Sequence, residues 1–254
     1  MQLLITSDEE GDSVDGSIRI VEHLQAIGSL PDAAIVGEPS CKECVGDTVR
    51  RGRRGVVQIR ALFHGQQGHS AYPQDAENAI HLAVPILAKI AALDWGEPAD
   101  GFPATSCQIT NVNGGTGATN MIPGCCEALI DIRYNPGNSF EQIKRAVENA
   151  CAGASASLDF DHVASAFSTA CGPLLDLVCN SIRAVTGVNA RLDTGGGTSD
   201  GRFLAAAGIP VAELGLTNST IHQAGECVPV HELELLTKIY AHIIKHYETC
   251  PHDS

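Results

Sequence analysis

Val56-Val57-Gln58-Ile59-Arg60-Ala61-Leu62-Phe63 alternates apolar and polar residues over most of its length. That period of two marks a strand with one buried face. Reading outward, Ala76 to Leu93 has helical spacing, with Ile80, Val84, Leu87 and Ala91 recurring; Pro85 inside it should kink it or weaken it. Ser106–Val112 and Glu127–Arg133 read as strands, Glu141–Cys151 as a helix and Ser157–Asp161 as a strand. The order β-α-β-β-α-β is the ferredoxin-like one. Residues 55–167 are therefore expected to form an inserted α+β domain.

The flanks read differently. Leu3–Thr6 is expected to be a buried strand, Gly16–Ile27 a helix and Ala33–Val36 a second strand. From Cys171 on, helices at Leu174–Val185, Asp200–Ala207 and Val230–Tyr247 alternate with strands at Ala190–Leu192 and Pro210–Leu214. Such alternation predicts an α/β domain. Its two parts are 1–54 and 168–254, a mixed sheet flanked by helices and interrupted by the insert.

Composition narrows the classes of function. The 254 residues are 44% apolar and 18% charged, with only 4% aromatic, so a large aliphatic core is available. Thirty acidic and 16 basic residues give a net charge of −14, which argues against a nucleic-acid partner. No apolar run reaches membrane-spanning length, and the first residues lack the basic region of a signal peptide. The expected setting is the cytoplasm, where the ten cysteines would stay reduced. Cys41-Lys42-Glu43-Cys44 lacks the second pair that a structural zinc site needs.

Four polar features follow apolar strand signals. Ligands in α/β sheets gather at the carboxyl ends of strands. Thr6-Ser7-Asp8-Glu9-Glu10-Gly11-Asp12 and Gly37-Glu38-Pro39-Ser40 bring carboxylates to two such ends. Crowded carboxylates repel unless a cation neutralises them, although a solvated acidic loop has the same composition. Thr194-Gly195-Gly196-Gly197-Thr198-Ser199-Asp200-Gly201-Arg202-Phe203 is a tight turn or a binding loop, and Thr198 and Ser199 can cap the helix after it. Asn218-Ser219-Thr220-Ile221-His222 carries a histidine that is a ligand only in company.

Taken in order with Arg53-Arg54-Gly55 and Gly68-His69-Ser70-Ala71-Tyr72-Pro73, these strings resemble the M20-type dinuclear zinc amidohydrolase family over essentially the whole chain. The resemblance implies a zinc-hydrolase catalytic domain and a ferredoxin-like lid that forms a homodimer. It implies two Zn2+ per full-length subunit, with Co2+ as a substitute, and hydrolysis of the amide bond of N-succinyl-LL-2,6-diaminopimelate for lysine synthesis. An acetylornithine-type amide and a non-catalytic dimerisation module are the other readings.

Residue by residue, the resemblance makes Glu9 the general base and His69 a lid histidine that stabilises the oxyanion in the partner's site. Glu10 and His222 become ligands of one zinc, and Glu38 of the other. Arg53, Asn120, Thr198 and Asn218 become substrate-binding residues. The family also has a His-x-Asp ligand and a bridging Asp upstream of Ser7. None of the ten histidines here is followed two positions on by Asp. The chain is thus expected to be a C-terminal portion that binds zinc weakly and turns over little by itself.

Overall fold

The computed structural model describes residues 1–11 and 13–247. They form two compact units, one of the described residues up to 53 and from 167 on, the other of residues 54–166.

In the first unit, α1 spans Ser17–Ala26, followed by β1 (Ala34–Val36), β2 (Thr48–Arg50) and β3 (Gly52–Arg53). The second unit holds β4 (Gly55–His64), β5 (Gly68–His69), α2 (Ala79–Ala91), β6 (Ser106–Gly114), β7 (Met121–Ile122), β8 (Cys125–Tyr134), α3 (Phe140–Ala150) and β9 (Ala156–Ala164). The first unit resumes with β10 (Phe167–Ser168), α4 (Pro173–Thr186), β11 (Arg191–Asp193), α5 (Gly201–Ala206), β12 (Val211–Glu213) and α6 (Val230–Tyr247).

The first unit is built on a mixed sheet in the order β1-β12-β2-β11. Strand β12 runs parallel to β1 and antiparallel to β2. Alternation along β12 splits the core. Ala212 and Leu214 pack with Leu175, Val178 and Ile182 of α4 and Ile239 and Ile243 of α6. Val211 packs on the other side with Val21 of α1, Leu204 of α5 and Phe167. By the same period of two, Glu213 shares the face of Val211.

The second unit is an antiparallel sheet, β6-β8-β4-β9, with the connectivity of the expected ferredoxin-like fold. Val57, Ile59, Ala61 and Phe63 alternate inward along β4 and pack against Ala83, Ile86, Leu87 and Ile90 of α2 and Ile143 and Val147 of α3. Helix α3 begins with a capping box: Gln142 N–H donates to Ser139 Oγ at 3.3 Å, and Ser139 N–H donates to Gln142 Oε1 at 2.8 Å. Ser139→Ala should destabilise this unit by about 1 kcal/mol, or roughly 4 °C in calorimetric melting. An unchanged melting temperature would mean that the cap contributes nothing.

Three expectations are corrected. Leu3–Thr6 is not a strand: it pairs with no ladder, and Leu3 and Ile5 are exposed. An apolar run without neighbouring strands cannot satisfy its peptide groups as a strand. Helix α2 starts at Ala79 rather than Ala76, because Asn78 Oδ1 accepts from Ile80 and His81 N–H. Its buried face carries Ala83, Ile86, Leu87 and Ile90, and Val84 points outward. The helix runs through Pro85 because His81, whose carbonyl lacks its usual donor there, is exposed to water.

Candidate active site

In the first unit, the residues expected at the site come from five places. Glu9 and Glu10 lie in the loop before α1, Glu38 follows β1 and Arg53 ends β3. Thr198 lies between β11 and α5, and Asn218 and His222 lie in the segment between β12 and α6. The backbone brings β1 and β12 close: a Cβ on Gly215 would overlap the Glu38 carbonyl. The segment carrying Asn218 and His222 is fixed at its start, where Thr217 Oγ1 donates to Glu232 Oε2 at 2.7 Å. Further on, His222 N–H donates to Glu226 Oε2 at 3.3 Å.

Two acidic groupings result. Glu10 Oε1 lies 3.4 Å from His222 Nε2, and both side chains are largely exposed. Glu9 and Glu38 lie close enough for each to shift the other's titration. Burial, then the charge of Glu9, pushes the Glu38 carboxyl from 4.5 up to about 7, against the pull of Arg53. Burial, then the charges of Glu10 and Asp200, also raises Glu9, while Glu38 and the Arg202 cation lower it. The crowded pair thus holds a proton more readily than two isolated carboxylates would.

Arg53 is buried, with 5% exposure. Its Nε–H donates to Glu213 Oε2 at 2.6 Å, its Nη2 lies 2.5 Å from the same oxygen, and its Nη1–H donates to Gly197 O at 3.1 Å. Nη2 also comes within 4.0 Å of Glu38 Oε2. The sequence assigned Arg53 to a substrate carboxylate; much of its donor capacity is directed inward. Beside it, Arg50 Nη1 donates to Gly195 O. Arg50 and Glu213 were both missed. The signal for Glu213 was a charged residue inside the apolar strand Val211-Ala212-Glu213-Leu214, a placement that demands a buried partner. Ser199 Oγ accepts from Gly201 N–H at 3.1 Å, so Ser199 steadies the turn into α5 beside Thr198.

His69 and Asn120 belong to the second unit, which brings them together. Strands β5 and β7 pair His69 with Met121, and Ser70 N–H donates to Asn120 O at 2.9 Å. His69 Nδ1 accepts from Ala71 N–H at 3.0 Å. An accepting Nδ1 places the proton of the neutral imidazole on Nε2, an exposed donor suited to a developing oxyanion.

The donor chemistry suits a divalent cation in part. Carboxylates that crowd and hold a proton are what a cation would separate and ionise. Glu10 and His222 could offer two donors to a cation, and Glu38 stands in the other grouping with Glu9. Among the described residues no three His, Cys, Asp or Glu side chains converge on a point. A complete zinc site needs three or four ligands, so these residues supply part of one.

Residues 51–158 match the family described as peptidase dimerisation domain. The chain is similar in fold to a tripeptidase of Staphylococcus aureus, with a TM-score of 0.74 and 23% identity, covering 95% of this chain and 62% of that one. It is likewise similar to an M20 family metallo-carboxypeptidase of Sulfolobus solfataricus, with a TM-score of 0.73 and 14% identity, covering 94% and 68%. Residues 51–158 thus carry a domain of the peptidase dimerisation type. Among curated proteins it is 43% identical to succinyl-diaminopimelate desuccinylase of Nitrosococcus oceani over 95% of its own length. It is 44% identical to that of Halorhodospira halophila over 96% of its length. It spans 65% of the length of each of these two relatives. Among the described residues no helix is long and apolar enough to cross a membrane.

Proposed function

We propose that the whole protein hydrolyses the amide bond of N-succinyl-LL-2,6-diaminopimelate, giving succinate and LL-2,6-diaminopimelate, and acts as a homodimer through residues 54–166. The observation that carries the reading is the crowded Glu9–Glu38 pair with Glu10 and His222 beside it, in a chain 43% identical to a desuccinylase. The match of 51–158 to a dimerisation domain supports the partner. The crowded carboxylates support two zinc ions, held in part by Glu10, His222 and Glu38. When bound, zinc would polarise the amide carbonyl and acidify water.

The chain's own residues then have these tasks. Glu9, its carboxyl raised by burial and the charges of Glu10 and Asp200, takes a proton from the attacking water and passes it to the leaving amine nitrogen. His69 Nε2–H donates to the oxyanion. Arg53, Thr198, Asn218 and Asn120 hold the substrate's carboxylates and backbone. Succinate release from the N-succinyl substrate, measured with zinc present against acetate release from N-acetylornithine, tests the reading. Turnover preferring the succinyl amide is expected. A preference for the acetyl substrate would move the protein to the acetylornithine class. A zinc-free dimer inert to both would make it a binding module.

A further inference from the structure

We propose that Glu213 is a positioning residue: it fixes the Arg53 guanidinium, and through it the face that Glu38 and the Gly195–Gly197 turn present to a substrate carboxylate. The proposal rests on the reading above in one respect, that Arg53 helps hold that carboxylate.

Glu213 is fully buried at the end of β12 and lies opposite Arg50 in the β12–β2 register. One oxygen receives both Nε and Nη2 of Arg53. Glu213 Oε1 and Arg50 Nε are buried without a hydrogen-bond partner among the described residues. Glu213 thus hydrogen-bonds only Arg53 of two neighbouring buried guanidiniums, Arg50 at 6% and Arg53 at 5% exposure, and reaches Arg50 through its charge, as Asp193 and Glu38 also do.

The turn above them allows little movement. Gly196 has φ +98°, and a Cβ there would overlap Nη1 of both arginines. Arg50 and Arg53 also hold the carbonyls of Gly195 and Gly197. Rotation of Arg53 about its own stem would therefore disturb Gly197 and the Nη2 that faces Glu38 together. Glu213 blocks that rotation by engaging Nε and Nη2 of the guanidinium, while Nη1 holds Gly197 O and Nη2 also faces Glu38 at 4.0 Å. An apolar residue would suit the strand pattern of Val211 and Leu214 but would leave Arg53 without its carboxylate.

The test uses the 15N-labelled chain. Its slowly exchanging Arg53 Nε–H resonance is identified by its disappearance in Arg53→Lys. In Glu213→Gln that resonance should move upfield and exchange faster, the Gly195–Gly197 amides should shift, and the Kd for succinate should rise about tenfold or more. In Arg53→Lys, adding Glu213→Gln should weaken succinate little further, because Glu213 acts through Arg53. An Nε–H signal unchanged by Glu213→Gln overturns the proposal. So does an unchanged succinate Kd, or penalties that add in full, which mark a purely structural role. If Glu213→Gln does not fold, Glu213→Asp, which withdraws the carboxylate by one methylene, is read the same way. A parent chain that binds no succinate overturns the functional reading instead, and the Nε–H result still decides what Glu213 does.

Discussion

Gly55→Ala should destabilise the 54–166 unit by about 3 kcal/mol or more and lower its melting temperature by roughly 10 °C. Gly55 opens β4 opposite Tyr134 of β8. A Cβ at Gly55 would overlap the Tyr134 ring, and its mildest conflict, with Cε2, is at 2.6 Å. Overpacking is tolerated where a neighbour can swing aside, but Tyr134 is held at both ends. Its ring is 3% exposed in the core. Its hydroxyl donates to Ala164 O at 3.2 Å and lies 2.9 Å from His162 Nε2. The His162 ring stacks on Phe140 at 4.4 Å. Moving the tyrosine breaks these contacts; leaving it forces the β4 backbone out of register. The partner change Tyr134→Leu should relieve much of the penalty, with a coupling of about 2 kcal/mol in the double-variant cycle. A Gly55→Ala protein that melts within about 2 °C of the parent would show that the strand end gives way freely.

The same unit shows how far local pattern carries. Its six main elements were legible because each is long and strongly periodic, as in the alternation from Val57 to Phe63. What the sequence hid are features made by tertiary partners. Strand β2 is three residues, Thr48-Val49-Arg50, all buried. Two of its three residues are polar, so no apolar period marks it; its place comes from β11 and β12 on either side. The two-residue β5 and β7 are likewise invisible locally, yet they bring His69 and Asn120 together. Leu3–Thr6 fails in the opposite sense, having strand composition and no neighbour to pair with.

Within the site, legibility followed chemistry. Carboxylates after strand signals stood out, because strand ends in α/β sheets collect ligands. Glu9, Glu10, Glu38 and His222 do gather in two groupings. Which carboxylate keeps a proton could not be read from spacing, since burial and the sign of each neighbouring charge decide it. Nor could the sequence show that Arg53 turns inward to Glu213 across 160 residues. A polar residue in an apolar strand announces that a partner exists; only the fold says which one.

Glu38→Gln should therefore flatten the dependence of stability on pH while removing the hydrolysis proposed for the whole protein. Burial and the Glu9 charge hold the Glu38 carboxyl at about 7, above its ordinary 4.5. Between those values the unfolded chain releases a proton that the folded chain keeps. The folded state then binds more protons, so the stability due to this group is complete below about pH 4.5, falls as pH rises and is lost above about 7. Allowing for solvent access to the carboxyl, the loss is on the order of 1–2 kcal/mol. A glutamine has no proton to lose. The variant should match the parent near pH 5 and exceed it by about 1–2 kcal/mol near pH 8, measured by urea unfolding at each pH without added metal. Zinc should reverse the order near pH 8, because a cation that binds only the folded parent adds stability with its concentration and the amide is a poor ligand. In the whole protein, kcat should fall by about a hundredfold or more, as when a group stabilising transition-state charge is lost. A variant whose stability falls with pH as steeply as the parent's would place the raised proton elsewhere. Stability gained without metal and activity lost with it would show that the repulsion between Glu9 and Glu38 is kept for the sake of a cation.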